Sequence, residues 1–181
     1  LTANTLFTNP HSSLHGDLGL AVIALETKIG ITGSAVATTL VYNENLSQPI
    51  WASVATSETR ANTAYGALTT AGPIVTATTG TSALVTLSCQ MSNATLLDGA
   101  AMAYAVSGAT TLASTDTTAL MFVSATANDL VQCSVTYPVT LTAGSNVFTA
   151  QYKTITGGTG TFLNRLLIVT PAPFAGAAGT L

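Results

Sequence analysis

With 181 residues but only four basic and seven acidic side chains, the chain is long enough for one domain plus an appendage, and its surface must be built from neutral residues. Charged residues make up 6% of the sequence, and Lys28, Arg60, Lys153 and Arg165 lie far apart, so the clustered cations that nucleic-acid binding requires are missing. Hydrophobic residues at 48% with a net charge of −3 argue against disorder, and the longest apolar run, Leu18 to Leu25, is too short to span a bilayer, so no membrane partner is expected.

Residues 1–9 read as a polar, extended N-terminal arm in which Leu6 and Phe7 form the only large apolar pair, a possible anchor on a partner surface. The stretch lacks the basic and long apolar regions of a secretory signal. Residues 10–30 predict a helix. Leu14, Leu18, Val22, Leu25 and Ile29 recur at three- and four-residue steps and therefore share one stripe. Pro10 suits the first turn, while Lys28 and Gly30 supply the cation and the glycine expected where a helix stops. A helix this short is marginal alone in water, so its stripe must be buried. Two covers compete: other copies of the chain in a short parallel three-helix stem, or the chain's own β-domain. The heptad is imperfect, because Ala21 and Val22 compete for one position.

Residues 31–66 show few alternating patterns and read as a connecting region. Its Trp51, the single tryptophan, is expected to pack that connection onto the β-domain. From Ile74 onward the turn signals become regular: Gly80, Asn93, Gly99, Gly108, Asn128-Asp129, Gly144-Ser-Asn146 and Gly157-Gly158 separate short β-prone runs. Phe148, Ala150 and Tyr152 fall on one strand face, and the run Leu163 to Val169 is apolar enough for a central strand or an oligomer interface. The prediction is a mainly β fold, an antiparallel jelly-roll-like β-sandwich over 67–172 preceded by one N-terminal α-helix, with an extended tail over 173–181. Cys89 and Cys133 each lie in a strand-like run. A cross-strand disulfide needs the two to meet on one face, and buried free thiols are the expectation, since free cysteine is among the most buried residue types.

The run His11-Ser-Ser-Leu-His15, then Leu18, then Ala24-Leu-Glu-Thr-Lys-Ile-Gly-Ile-Thr-Gly-Ser-Ala-Val36 and on to Thr39-Leu-Val-Tyr42 resembles a linker that recurs in tailed-bacteriophage structural proteins. These include head-decoration, minor tail and tail-fibre proteins. The segments Leu141 to Lys153 and Thr161 to Pro171 are similar to the compact β-sandwich knobs that end such proteins. The resemblance implies a virion surface component, often trimeric, held by a major capsid protein or a tail protein of the same particle. Leu14, Leu18, Val22, Leu25 and Ile29 would then face the oligomer axis.

His11 and His15 both sit on the helix, so a Ser-His-Asp triad inside the β-domain is excluded. Their one-turn spacing has no third ligand at the next turn, and no metal or other cofactor is expected. Asp98, Asp116 and Asp129 all lie beside turn signals, where aspartate is ordinary, and Gly157-Gly-Thr-Gly-Thr161 lacks a phosphate-binding lysine and reads as a hairpin turn. The sequence therefore reads as non-enzymatic. A carbohydrate- or receptor-binding module and a secreted pilus or adhesin subunit are the alternatives.

Overall fold

The computed structural model describes residues 10–30 and 40–172, with the side chains among them except those of residues 10–14, 40, 42 and 43. The arm 1–9 with Leu6 and Phe7, the tail 173–181 and the side chain of Leu14 lie outside the described parts. The chain divides into two units, residues 1–45 and 46–181.

The first unit contains α1 (Pro10–Ile29). Gly30 ends it in the left-handed conformation at φ 80°, its N–H bonded to the Glu26 carbonyl at 2.8 Å, which closes the last turn as glycine does at helix ends. A second short helix, α2 (Leu40–Leu46), leads toward the strands.

The second unit is a two-sheet antiparallel sandwich. Its strands are β1 (Ile50–Val54), β2 (Glu58–Arg60), β3 (Ile74–Thr79), β4 (Ser82–Asn93), β5 (Gly99–Gly108), β6 (Leu120–Val123), β7 (Val131–Thr140), β8 (Gly144–Thr154) and β9 (Gly160–Ala172). One sheet runs β1-β9-β4-β7, with β2 also pairing β9, and the other runs β3-β8-β5-β6. Consecutive strands from β3 on alternate between the sheets except for the β5–β6 pair, which is jelly-roll connectivity. Strands β1 and β2 fall inside 31–66, so that stretch is not only a connection: it supplies part of the first sheet. The glycine-rich turn at 157–158 joins β8 of one sheet to β9 of the other and is not a hairpin.

Alternation places the core. Val85, Leu87, Cys89 and Met91 of β4 face Met102, Tyr104 and Val106 of β5, and Phe148, Ala150 and Tyr152 of β8 share the inner face with them. Tilted ring pairs, Tyr104 with Phe148 at 6.1 Å and Tyr152 with Phe162 at 4.9 Å, fill the centre. Pro138 has no N–H to give a second neighbour, which suits β7 to the edge of its sheet, where it pairs β4 alone. Strand β9 is central, as its apolar run predicts, but it alternates around a bulge. Asn164, at φ 49°, sits where the register with β4 shifts, and the inward set changes from Phe162 to Arg165, Leu167 and Val169.

Candidate interaction sites

On α1, successive residues turn by about 100°, so Leu18, Val22, Leu25 and Ile29 fall within about 60° of arc. All four are exposed, Leu18 at 61%. Leu20 and Ile23 are exposed too and point to the opposite side, a second apolar face that the stripe alone does not reveal. A helix with apolar side chains on two sides is stable only with cover on them.

The sandwich opens where its sheets part between β6 and β7. Strand β6 has four residues against ten in β7, so the inward residues Val131, Cys133, Val135, Tyr137 and Val139 are only partly covered. The resulting groove holds about 580 Å³, with Ala119, Leu120 and Met121 on one wall and Cys133, Val135 and Tyr137 on the other. Asp116 stands at its rim and is already engaged: Lys153 donates to its Oδ2 and Tyr65 to its Oδ1, both at 2.8 Å. Those bonds, that from Lys153 foremost, lower the Asp116 pKa. Burial pushes the Cys89 thiol up to about 12 and raises Cys133 as well, so neither is a ready nucleophile.

At one end of the sandwich the β4–β5, β6–β7 and β8–β9 loops are tied together. Asp98 is buried, and its Oδ1 accepts the N–H groups of Gly99 at 2.7 Å and Thr156 at 2.8 Å, its Oδ2 that of Gly158 at 2.6 Å. Burial alone would raise its pKa, but these three donors outweigh it and bring the group down to about 2. Asn93 adds a bond from its Nδ2 to the Gly99 carbonyl at 2.8 Å, and its own carbonyl accepts from Asn128 at 2.7 Å. This frame carries Leu96, Leu97, Val123 and Leu130 outward. Leu97 is 69% exposed and held at φ 60°, a conformation that leucine rarely adopts. Nothing in their spacing marks these four as a group, since they come from three segments.

Trp51 corrects its sequence reading: it lies on β1 and is 65% exposed. Its register partner is Ile168, and the row continues through Thr86 and Thr136, whose hydroxyls bond at 2.8 Å. Among the described residues, no group of three His, Cys, Asp or Glu side chains could hold a metal ion, and no helix is long and apolar enough to cross a membrane.

No family model matches the chain, and no curated protein matches it. Among solved structures it is similar to the Eiger TNF of S. frugiperda, at 12% identity and a TM-score of 0.40 over 58% of this chain and 68% of that one. It is also similar to the CBM22-1 xylan-binding domain from Paenibacillus barcinonensis, at 11% identity and a TM-score of 0.30 over 67% of this chain and 86% of that one.

Proposed function

We propose that the chain is a non-enzymatic structural protein of a tailed-bacteriophage virion, a homotrimeric decoration or fibre component whose helical stem attaches a jelly-roll knob to the capsid or tail. The observation that carries this reading is the exposed stripe Leu18, Val22, Leu25 and Ile29 on α1. Burying four such side chains contributes roughly 6–12 kcal/mol per chain, enough to hold a short bundle. The resemblance of residues 11–42 to phage linkers supplies the setting, and the jelly roll is an architecture that viral capsid proteins use among many others.

Light scattering on the purified chain tests the stem. A mass near three times 18.2 kDa is expected, and the double substitution Leu18→Asp, Leu25→Asp should reduce it to one chain, because each new carboxylate would be buried without a partner. A monomeric parent protein overturns the trimer. Peptide mass spectrometry of purified particles tests the setting, and particles without this chain would sink it.

A second reading, a module that binds neutral carbohydrate, draws on Trp51. An exposed indole offers a stacking face to a sugar ring, and the same outward row continues past Ile168 to the hydroxyls of Thr86 and Thr136, which could bond a longer oligosaccharide. Quenching or a blue shift of tryptophan fluorescence by a neutral oligosaccharide, abolished in Trp51→Ala, would favour it over the first.

A further inference from the structure

Cys89 on β4 and Cys133 on β7 are register partners in an antiparallel ladder that runs without a shift from Ser82 opposite Thr140 to Met91 opposite Val131. Directly opposed residues point to the same face, with Cα atoms about 4.5–5.5 Å apart. A disulfide spans Cα separations of about 4.4–6.8 Å, so the ladder already places the pair within bonding range. Both side chains turn inward: Cys89 is fully buried in the core and Cys133 packs against it from the edge strand. Cys89 also lies at the β9 bulge and has no register partner on that strand, which leaves its backbone freer to adjust than its neighbours. Cys133 lines the groove between β6 and β7, so a small thiol reagent reaches it first.

We propose that Cys89 and Cys133 are a redox modification site, which a low-molecular-weight disulfide converts from two free thiols into one cross-strand disulfide that staples edge strand β7 to β4. The inference rests on strand register and does not depend on the proposed function. With glutathione disulfide as the oxidant, the Cys133 thiolate attacks one of its sulfurs and expels the first glutathione thiolate, leaving a mixed disulfide in the groove. Cys89, deprotonated when local opening at edge strand β7 admits water, then attacks the Cys133 Sγ and expels the second glutathione thiolate. The protein gives up two electrons and two protons, and one glutathione disulfide becomes two glutathione molecules. Burial holds both thiols protonated near neutral pH, so the reaction quickens as pH rises toward 9.

The test uses the whole chain, treated with glutathione disulfide at pH 8.5 and, in parallel, refolded from the reduced state in a glutathione redox buffer. Both samples are alkylated in denaturant, weighed intact and mapped by peptide mass spectrometry. The expected product has lost the mass of two hydrogen atoms, carries no glutathione, contains a Cys89–Cys133 peptide and melts about 5–10 °C higher than the reduced protein. Dithiothreitol should reverse all of this, and Cys89→Ala should stop at a glutathione adduct on Cys133. Two alkylatable thiols after both treatments overturn the proposal. So does a product that is solely a mixed disulfide or a cross-linked dimer.

Discussion

The guanidinium carbon of Arg165 stands 5.5 Å from the centroid of the Tyr152 ring, inside a mainly apolar core. The bulge at Asn164 turns this arginine inward, where it is 0% exposed, and its Nη2 donates to the Thr56 carbonyl at 3.2 Å. Its Nη1 lies 3.6 Å from Glu58 Oε2, an ion pair too long for a hydrogen bond. The arginine thus bridges β9 to β2 and the turn before it, and fills the space beside Tyr152. Arg165→Ala should cost about 3–5 kcal/mol, from the cavity and the lost pairing together. Arg165→Met, which keeps most of the volume, should cost clearly less. If charge and not packing carried the position, methionine would fall as far as alanine, and urea titrations of both variants read the difference.

Asp98 makes the loop end of the sandwich acid-sensitive. Its folded pKa, about 2, lies below the unfolded value near 3.8, so its contribution is fully present above that unfolded value and is lost as pH falls through 2. The melting temperature should therefore drop between about pH 5 and pH 2. Asp98→Asn should flatten that slope and lower the melting temperature at neutral pH, since one amide face would then meet the Gly158 N–H with a donor. Equal slopes in parent and variant would remove Asp98 from this role.

The sequence showed the strand boundaries well because each one is a local matter. Gly80, Asn93, Gly99, Gly108 and Gly144 all stand at or beside a strand end. The alternation of Phe148, Ala150 and Tyr152 likewise needs no knowledge of partners. Strands β1 and β2 were not legible: they are short, and only pairing with β9 makes them strands. The inward turn of Arg165 depends on a bulge measured against β4, and the outward display of Leu96, Leu97, Val123 and Leu130 depends on loops that meet through Asp98 and Asn93. Both are long-range facts. The α1 stripe is visible from spacing, whereas Leu20 and Ile23 lie off its three- and four-residue steps and form a face of their own.

Gly158 should tolerate no side chain. A Cβ there would stand 2.5 Å from Asn93 Oδ1 and from Thr95 Oγ1 and 2.7 Å from Asp98 Oδ2, the atoms that build the loop frame. Gly158→Ala must push at least one of them away, so amide hydrogen exchange should accelerate across residues 93–99 and 156–158, with little change in β7. Unaltered exchange in those loops would mean that the frame yields without breaking.

The two apolar sides of α1 should behave differently on mutation. A parallel bundle buries one stripe, and Leu18, Val22, Leu25 and Ile29 form the continuous one, whereas Leu20 and Ile23 make an isolated pair on the other side. On the proposed trimer, Leu20→Ser with Ile23→Ser should therefore leave the three-chain mass intact, while Leu18→Asp with Leu25→Asp abolishes it. On the same proposal the pair at Leu20 and Ile23 would remain available to a second protein, so the serine variant should lose attachment to the proposed particle without losing its oligomeric state. Dissociation of the serine variant in sedimentation would show instead that both sides of the helix are spent on self-association, as in a bundle with more than three helices.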